Sequence, residues 1–318
     1  MKKISKGQPV NNLQIVVTSV SFSKSPILKE QLLKVFPNST FNNHGQRLSG
    51  KNLIEFIKNA DAAIVGVEVI DEFILKHASK IKMISKYGVG LDNIDQEELK
   101  RRGIRLGWVG GVNSRSVSEL TLCFMLGLSR NVFSSGFKLK QTNWDKDGGN
   151  QLSEKTVGII GCGHIGSDII RLLSPFKCKI LVRDIINKLS FCREQGAIEA
   201  SLEEVIKQSD VISLHVPLTD KTRKICDERF LQKMKPTAFL INTSRGEVVD
   251  QNALKSVLKQ KLIAGAAIDV FTEEPPSDEE FLSLPNLMVT PHIGGNAKEA
   301  IEAMGQSAIN NLISFFKN

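Results

Sequence analysis

Short apolar runs alternate with amphipathic stretches along most of the chain. The runs have the length and the β-branched content of buried strands, whereas apolar residues in the stretches between them recur at helical spacing. Strands are predicted at Gln14–Thr18, Ala62–Val65 and Lys82–Ser85, and later at Thr156–Ile160, Lys179–Arg183, Val211–Leu214, Ala238–Ile241, Ala264–Ile268 and Leu287–Val289. This alternation is typical of a parallel α/β architecture.

Helices are predicted between several of these strands. They lie near Ser25–Val35, Ser49–Asn59, Asp71–Ala78, Ser116–Arg130 and Ala297–Phe316. Ser49 and Asp71 suit the N-cap position, because their side-chain oxygens can accept hydrogen bonds from first-turn amides. The segment Thr272–Glu280, rich in Pro and acidic residues, predicts a surface loop. Because two α/β series follow each other, we expect two doubly wound domains with a cleft between them.

A glycine pattern at the start of the second series indicates a dinucleotide site. Gly161, Gly163 and Gly166 stand between a β-branched apolar strand and an apolar-periodic helix. The first glycine permits the tight turn, the second lets the backbone approach a pyrophosphate, and the third allows close helix–strand packing. His164 and Ile165 lie inside the pattern and join the predicted cofactor-binding residues, His164 through its backbone. The pattern predicts a Rossmann-like domain that binds a dinucleotide.

The acidic residue after the next strand bears on the choice of cofactor. Asp184 follows the glycines at close to the usual spacing of about 20 residues. A carboxylate there accepts hydrogen bonds from the ribose hydroxyls of NAD and repels the 2′-phosphate of NADP. The adjacent Arg183 could serve such a phosphate, which leaves NADP as the alternative to NAD.

Composition and charge narrow the classes of protein. The net charge is +8, but the basic residues are scattered and only one Tyr is present, which argues against nucleic-acid binding. Five cysteines without a Cys-x-x-Cys pair fit reduced thiols better than a disulfide framework or a metal site. No apolar run reaches the roughly 18 residues of a membrane span. The start of the chain lacks the apolar core of a signal peptide, so we expect a cytoplasmic protein.

Three segments that each follow a predicted strand carry candidate catalytic residues. They are INTSRGEVVD at Ile241–Asp250, AAIDVFTEEPP at Ala266–Pro276 and TPHIGG at Thr290–Gly295. Taken singly, Arg245 could be a surface cation, Glu274 a solvated acid and His292 a buried structural histidine. Together they supply the cation, the carboxylate and the imidazole that hydride transfer at a hydroxy acid requires.

These segments resemble the signature motifs of the D-isomer-specific 2-hydroxyacid dehydrogenases. Similar to that family are also SKYGVGLDNID at Ser85–Asp95, VNSRSVSEL at Val112–Leu120 and LHVPLTDKTR at Leu214–Arg223. In order and spacing, the resemblance covers nearly the whole chain. It implies an NAD-dependent oxidoreductase that transfers a hydride between nicotinamide and a D-2-hydroxy acid or its 2-oxo acid.

The resemblance implies a role for each matching catalytic residue. Arg245 would bind the substrate carboxylate and carbonyl, since the paired donors of its planar guanidinium suit a 2-oxo acid. His292 would be the general acid/base. Glu274 would hydrogen-bond His292 and favour its protonated form.

The same resemblance implies the binding residues. Asp269 would face the nicotinamide carboxamide, and the backbone of Gly88, Val89 and Gly90 would hold the substrate carboxylate. Further cofactor contacts would come from His215, Pro217, Thr219, Thr222, Thr243 and Gly294. His215 ends a strand and competes with His292 as a base, but its family counterpart lies in the cofactor pocket. Cys162 is interpreted as a packing residue.

Domain organisation and substrate are also implied by the resemblance. We expect a discontinuous substrate domain at 1–112 and 291–318, an NAD domain at 113–290, and a homodimer formed largely by the NAD domain. The loop after Ser85 favours 3-phosphoglycerate and phosphohydroxypyruvate as the substrate pair. However, Glu68 stands where an arginine could bind phosphate, which leaves Lys86 and Arg115 as the cations that could serve a phosphate. Glyoxylate, hydroxypyruvate and other unphosphorylated acids remain the alternative.

Other classes of protein stay open at this point. Formate or phosphite dehydrogenases share the scaffold, but formate dehydrogenases resemble a glutamine–histidine arrangement, which Glu274 does not supply. A dinucleotide-sensing corepressor of the same superfamily would keep the Arg/Glu/His set, so only turnover separates it from an enzyme. A structural role through the dimer is the third alternative.

Overall fold

The computed structural model describes residues 12–317, which form two compact units. One comprises the described residues up to Asn113 together with those from Asn296 onward, and the other comprises Ser114–Gly295. The division falls one residue beyond the first expected domain boundary and five beyond the second. Residues 291–295 stay with the second unit because Asp269 accepts the N–H groups of Ile293 and Gly294, both at 2.7 Å.

The first unit is a parallel sheet with helices on both faces. Its elements are β1 (Ile15–Val17), α1 (Val20–Lys24), α2 (Pro26–Val35), β2 (Ser39–Phe41), α3 (Gly50–Ile57), β3 (Ala62–Val65), α4 (Glu72–Lys76), β4 (Met83–Lys86), α5 (Gln96–Arg102), β5 (Arg105–Gly107) and α14 (Lys298–Lys317). The strand order is β2-β1-β3-β4-β5. Val17 packs with Leu312 on one face, and Val16 packs with Ile57 on the other. Such strands are unbroken apolar runs because both faces are covered.

The second unit is a larger sheet of the same kind. Its elements are α6 (Ser114–Ser129), α7 (Val132–Lys140), β6 (Thr156–Ile160), α8 (His164–Leu173), β7 (Lys179–Arg183), α9 (Leu189–Gln195), β8 (Ile198–Glu199), α10 (Leu202–Gln208), β9 (Val211–Leu214), α11 (Glu228–Gln232), β10 (Phe239–Asn242), α12 (Gln251–Lys259), β11 (Gly265–Ile268), α13 (Glu279–Leu282) and β12 (Leu287–Val289). All pairs are parallel, in the order β12-β11-β10-β9-β6-β7-β8. The order reverses at β6, and open α/β sheets bind ligands at the carboxyl ends beside such a reversal.

All nine predicted strands form, with ends shifted by at most one residue. Three further strands, β2, β5 and β8, were not predicted. Each is two or three residues long and lies at the edge of its sheet. Edge strands have a neighbour on one side only, so short and polar sequences suffice there and leave no apolar run.

The predicted helices form within two residues of the expected bounds, and Asp71–Ala78 forms as Glu72–Lys76. Asp71 caps α4 by accepting the Ile74 N–H at 3.0 Å. Ser49 occupies the N-cap position of α3, but its side chain makes no capping hydrogen bond. Within residues 12–317, no helix is both long and apolar enough to cross a membrane.

Candidate active site

The three candidate catalytic residues follow three neighbouring strands of the second unit. Arg245 comes after β10, Glu274 after β11 and His292 after β12. These strands are adjacent and parallel, so their carboxyl ends lie at the same edge of the sheet. The structure therefore brings a cation, a carboxylate and an imidazole to one edge.

His292 and Glu274 form a hydrogen-bonded pair. The two atoms, His292 Nδ1 and Glu274 Oε2, are 2.8 Å apart, and the other carboxylate oxygen accepts the Phe271 N–H at 3.1 Å. The hydrogen bond to Glu274 raises the pKa of His292. Burial acts to raise the pKa of Glu274, but the hydrogen bonds from His292 and Phe271 outweigh it and hold that pKa below its usual range. The ionised carboxylate thus keeps the proton on Nδ1 and leaves Nε2 to exchange a proton with a ligand.

Asp269 fixes the loop that carries His292. This carboxylate is buried and accepts the Thr290 hydroxyl at 2.6 Å as well as the Ile293 and Gly294 N–H groups. A Cβ at Gly294 would lie 2.8 Å from Asp269 Oδ2, so only glycine allows this approach. His292 itself has φ 54°, in the left-handed region. The expected contact of Asp269 with a carboxamide stays a prediction, whereas its role as an anchor of the loop was not predicted.

A second anchor holds the turn of Arg245. The buried Asn242 donates from Nδ2 to the Arg245 carbonyl at 2.8 Å, and its Oδ1 accepts the Ser244 N–H at 3.0 Å. A Cβ at Gly246 would lie 2.0 Å from the carbonyl carbon of Phe271, so the loops after β10 and β11 pack backbone against backbone. Sequence analysis missed Asn242, although an Asn at the end of a buried strand is a signal for such a turn.

The glycine loop between β6 and α8 has the shape of a phosphate cradle. Gly161 has φ 95°, and a Cβ there would lie 2.4 Å from the His215 carbonyl oxygen. A Cβ at Gly166 would lie 2.1 Å from the Gly161 carbonyl oxygen. At Gly163, the N-cap of α8, a Cβ would meet nothing within 4 Å, and no side chain caps the helix. Open space before helix N–H groups suits an anionic diphosphate, so these residues fit a dinucleotide; His164 and Ile165 begin the helix.

Asp184 borders this loop. Its carboxylate accepts the Cys162 N–H at 2.6 Å and the Ile186 N–H at 2.9 Å. Two backbone donors therefore hold the carboxylate at the carboxyl end of β7, beside the glycine loop. Burial raises the pKa of Cys162 to about 11, which argues against a thiolate nucleophile at that position.

The remaining cofactor candidates lie after β9 and β10. His215 shares a hydrogen bond of 2.8 Å with Ser213, its Nδ1 is buried without a hydrogen-bond partner among the described residues, and burial lowers its pKa to about 3. An orphaned Nδ1 beside Gly161 fits a ligand group, whereas so low a pKa disfavours general acid catalysis.

Thr222 donates to the Pro217 carbonyl at 2.6 Å within one turn, which also contains Thr219. Thr243 is buried and hydrogen-bonds Thr121 on α6 at 3.0 Å.

The candidate substrate loop lies in the first unit. Gly88, Val89 and Gly90 follow β4, and Gly88 has φ 121°, which side chains rarely tolerate. The Trp108 Nε1–H donates to the Val89 carbonyl oxygen at 2.9 Å. This contact was not predicted from the sequence.

Comparison with known proteins shows the family to which this chain belongs. Residues 122–294 match the family model of the D-isomer specific 2-hydroxyacid dehydrogenase NAD binding domain. The chain is 39% identical over 275 residues to glyoxylate reductase of Thermococcus litoralis, covering 83% of each chain. It is 38% identical over 263 residues to D-3-phosphoglycerate dehydrogenase of Methanocaldococcus jannaschii, covering 81% of this chain and 50% of that one.

A solved structure is similar over nearly the whole length. The D-lactate dehydrogenase of Aquifex aeolicus, complexed with NAD and lactic acid, aligns with TM-score 0.85 and 26% identity, covering 96% of this chain and 95% of that one. The fold is that of two Rossmann-like domains, and the glycine loop is that of a dinucleotide-binding protein. The chain belongs to the D-isomer specific 2-hydroxyacid dehydrogenase family: it is an oxidoreductase of D-2-hydroxy acids with NAD as its cofactor.

Proposed function

We propose that this enzyme reduces small, unphosphorylated 2-oxo acids, with glyoxylate and hydroxypyruvate as the best substrates. The observation that carries the proposal is the state of two cations, Lys86 and Arg115. A phosphorylated substrate needs a cation that is available to its phosphate. Both cations that the sequence suggested for this task are bound to partners within their own unit.

Lys86 is buried at the end of β4. Its amine donates to the Gly66 carbonyl and, at 2.8 Å, to Asn93 Oδ1. Glu68, where an arginine would favour phosphate, is buried too, and it accepts the Thr18 hydroxyl at 2.7 Å and the Gly66 N–H at 2.9 Å. In the second unit, Arg115 donates to Asp168 at 2.8 Å. These contacts support a substrate without phosphate.

The relatives support the same choice. Four glyoxylate reductases of archaea are 36–39% identical to this chain over 273–275 residues. The phosphoglycerate dehydrogenase of M. jannaschii is 38% identical, and the chain spans half of its length. Oxidation of 3-phosphoglycerate is therefore the second candidate function.

The residues of the second unit account for the proton and the charges of the reaction. NADH, when bound, supplies the hydride. Arg245 binds the carboxylate and polarises the carbonyl of the 2-oxo acid, since its guanidinium presents paired donors. His292 delivers a proton from Nε2 to the carbonyl oxygen as it becomes a hydroxyl. Glu274 keeps His292 protonated before the transfer. The amides of Gly88, Val89 and Gly90 hold the carboxylate of the substrate.

The cofactor site and the oligomeric state are also part of what we propose. Gly161, Gly163 and Gly166 hold the pyrophosphate of the dinucleotide, and Asp184 holds its ribose hydroxyls. The exposed apolar side chains of α7, none of whose residues is buried, support a homodimer formed through the second unit. Phe133 and Phe137, 56% and 60% exposed, are four residues apart and share a face of this helix.

The test follows NADH absorbance with a panel of glyoxylate, hydroxypyruvate, pyruvate and phosphohydroxypyruvate. We expect kcat/KM for glyoxylate or hydroxypyruvate to exceed that for phosphohydroxypyruvate by at least about tenfold, since a phosphate without a cationic partner costs more than about 1.4 kcal/mol. Preference for phosphohydroxypyruvate would establish the second candidate instead.

Two alanine variants control the assignment of the reaction. His292→Ala should lose roughly 10²–10⁴-fold in kcat while it retains NADH binding, because only proton transfer is removed. His44→Ala is the matched control: His44 is exposed in the first unit and has no assigned role, so its turnover should equal the wild type. Silence of the wild type across the panel, with NADH still bound, would contradict the proposed function.

A further inference from the structure

The substrate loop Gly88–Gly90 is held firmly on both sides. Before it, the Tyr87 N–H donates to the Val65 carbonyl at 2.9 Å, and the buried ring of Tyr87 packs edge-on against Phe22. After it, Asn93 Nδ2 donates to the Gly66 carbonyl at 3.1 Å and also to the Glu68 carbonyl. These contacts fix the ends of the loop, but they do not set the direction of the peptide groups at its centre.

Trp108 makes the central contact. It comes directly after β5, the edge strand beside β4, and its Nε1–H donates to the Val89 carbonyl oxygen at 2.9 Å. Within residues 12–317, this is the only hydrogen bond that Gly88–Gly90 make. The indole is 42% exposed, so burial of a core residue does not explain its position.

The direction of this carbonyl determines the direction of the next amide. A trans peptide is planar, so the Gly90 N–H points opposite to the Val89 C=O. With the carbonyl turned to Trp108, the Gly90 N–H is turned away from it. Glycine accepts either sign of φ, so no Cβ at position 90 opposes rotation of this peptide. A rotated peptide would present a carbonyl oxygen to the substrate carboxylate and repel it.

We infer that Trp108 is a positioning residue, which holds the Val89–Gly90 peptide with its N–H available to the carboxylate of the 2-oxo acid. The inference rests on the proposed function, in which this loop binds that carboxylate. Trp108 acts through the Val89 carbonyl and touches no reacting atom. Its contribution is therefore to substrate affinity, not to hydride or proton transfer.

The test is Trp108→Phe, which keeps an aromatic ring and removes the N–H donor. We expect KM for the preferred 2-oxo acid to rise roughly three- to tenfold, the factor that one net hydrogen bond represents. The value of kcat, the Kd for NADH and the Tm should stay close to wild type. Phe73→Leu, a change at an exposed aromatic residue of α4 in the same unit, is the control and should leave KM unchanged.

A binding measurement separates this inference from the proposed function. Calorimetry with oxamate, in the presence of NADH, reports carboxylate binding without turnover, and Trp108→Phe should weaken it by the same factor as KM. Wild-type turnover with an unchanged KM and oxamate Kd in the variant would overturn the inference alone. If the wild type reduces no 2-oxo acid, oxamate binding still decides the role of Trp108; failure of the wild type to bind oxamate would overturn both. A fall in Tm or in NADH affinity would mean a purely structural role.

Discussion

His292 occupies a left-handed backbone conformation, with φ 54°, which costs free energy for a residue with a Cβ. The surrounding structure holds it there: Asp269 accepts the hydroxyl of Thr290 before it and the N–H groups of Ile293 and Gly294 after it. A strained backbone conformation that several surrounding contacts hold in place is typical of functional sites. The imidazole thus reaches Glu274 at a fixed angle, which makes the pair sensitive to single substitutions.

The pair of His292 and Glu274 should make turnover depend on pH. Because Glu274 raises the pKa of His292, the imidazolium that the proposed proton transfer needs persists to higher pH. In the wild type, kcat/KM for reduction should fall as the pH rises through this raised pKa. Glu274→Gln removes the negative charge, so the pKa of His292 falls and the decline should begin at lower pH. Oxidation, which needs neutral His292, should correspondingly extend to lower pH; pH–rate profiles in both directions measure the shift.

The same pair links pH to stability. The raised pKa of His292 stabilises the folded state below the ordinary pKa of histidine, and this contribution is lost as pH rises through the raised value. The lowered pKa of Glu274 contributes above the ordinary pKa of Glu and is lost as pH falls through the lowered value. If the pH–rate profiles of the wild type and Glu274→Gln coincide, Glu274 does not have the role proposed for it. Glu273→Gln, at an adjacent exposed carboxylate, is the control.

In the turn from β6 into α8, the absence of a Cβ has a different purpose at each of two glycines. At Gly166 the absent Cβ makes room for the protein itself, the Gly161 carbonyl oxygen. At Gly163 the space is open, and we propose that the dinucleotide fills it. Substitutions at the two positions should therefore damage different properties.

We expect Gly163→Ala to keep the wild-type Tm and to weaken NADH binding by about tenfold or more, because a methyl group would stand where the pyrophosphate approaches. Gly166→Ala should lower the free energy of unfolding by about 1–3 kcal/mol, because α8 must move from β6. Thermal unfolding without ligand and NADH titration separate the two effects. A Gly163→Ala protein that binds NADH like the wild type would argue against the cradle.

Sequence patterns predicted those features that one stretch of chain determines by itself. The buried strands, the glycine turn and the segments of Arg245, Glu274 and His292 all carry local signals. The bonds of Asn242 also stay within one turn, for which the Asn at the strand end was the available signal, whereas the bonds of Asp269 and the contact of Trp108 with Val89 are different. They join residues whose meeting depends on the order of strands in a sheet, which no local pattern encodes. The short edge strands β2, β5 and β8 were not predicted for a related reason, since each is defined by its pairing with a neighbouring strand.

The two units have different roles in the proposed reaction. The second unit contains the family's NAD-binding domain, together with Arg245, Glu274 and His292. The first unit contains the glycine loop proposed for the substrate carboxylate and the tryptophan that orients it. Each unit has its own apolar core on both faces of its sheet, so changes at the surface of one unit should leave the fold of the other intact.

The exposed apolar surface of α7 predicts a dimer. Val132, Phe133, Phe137 and Leu139 are each more than half exposed, and a second copy of the chain would bury them. Sedimentation equilibrium should find a wild-type mass of twice 35.1 kDa, that is 70.2 kDa. Phe137→Glu should shift it toward 35.1 kDa, since an interface that must desolvate an unpaired carboxylate loses several kcal/mol. Phe73→Glu, at a similarly exposed position of the first unit, should leave the mass at the dimer value. A monomeric wild type, or equal effects of the two variants, would contradict a dimer formed through α7.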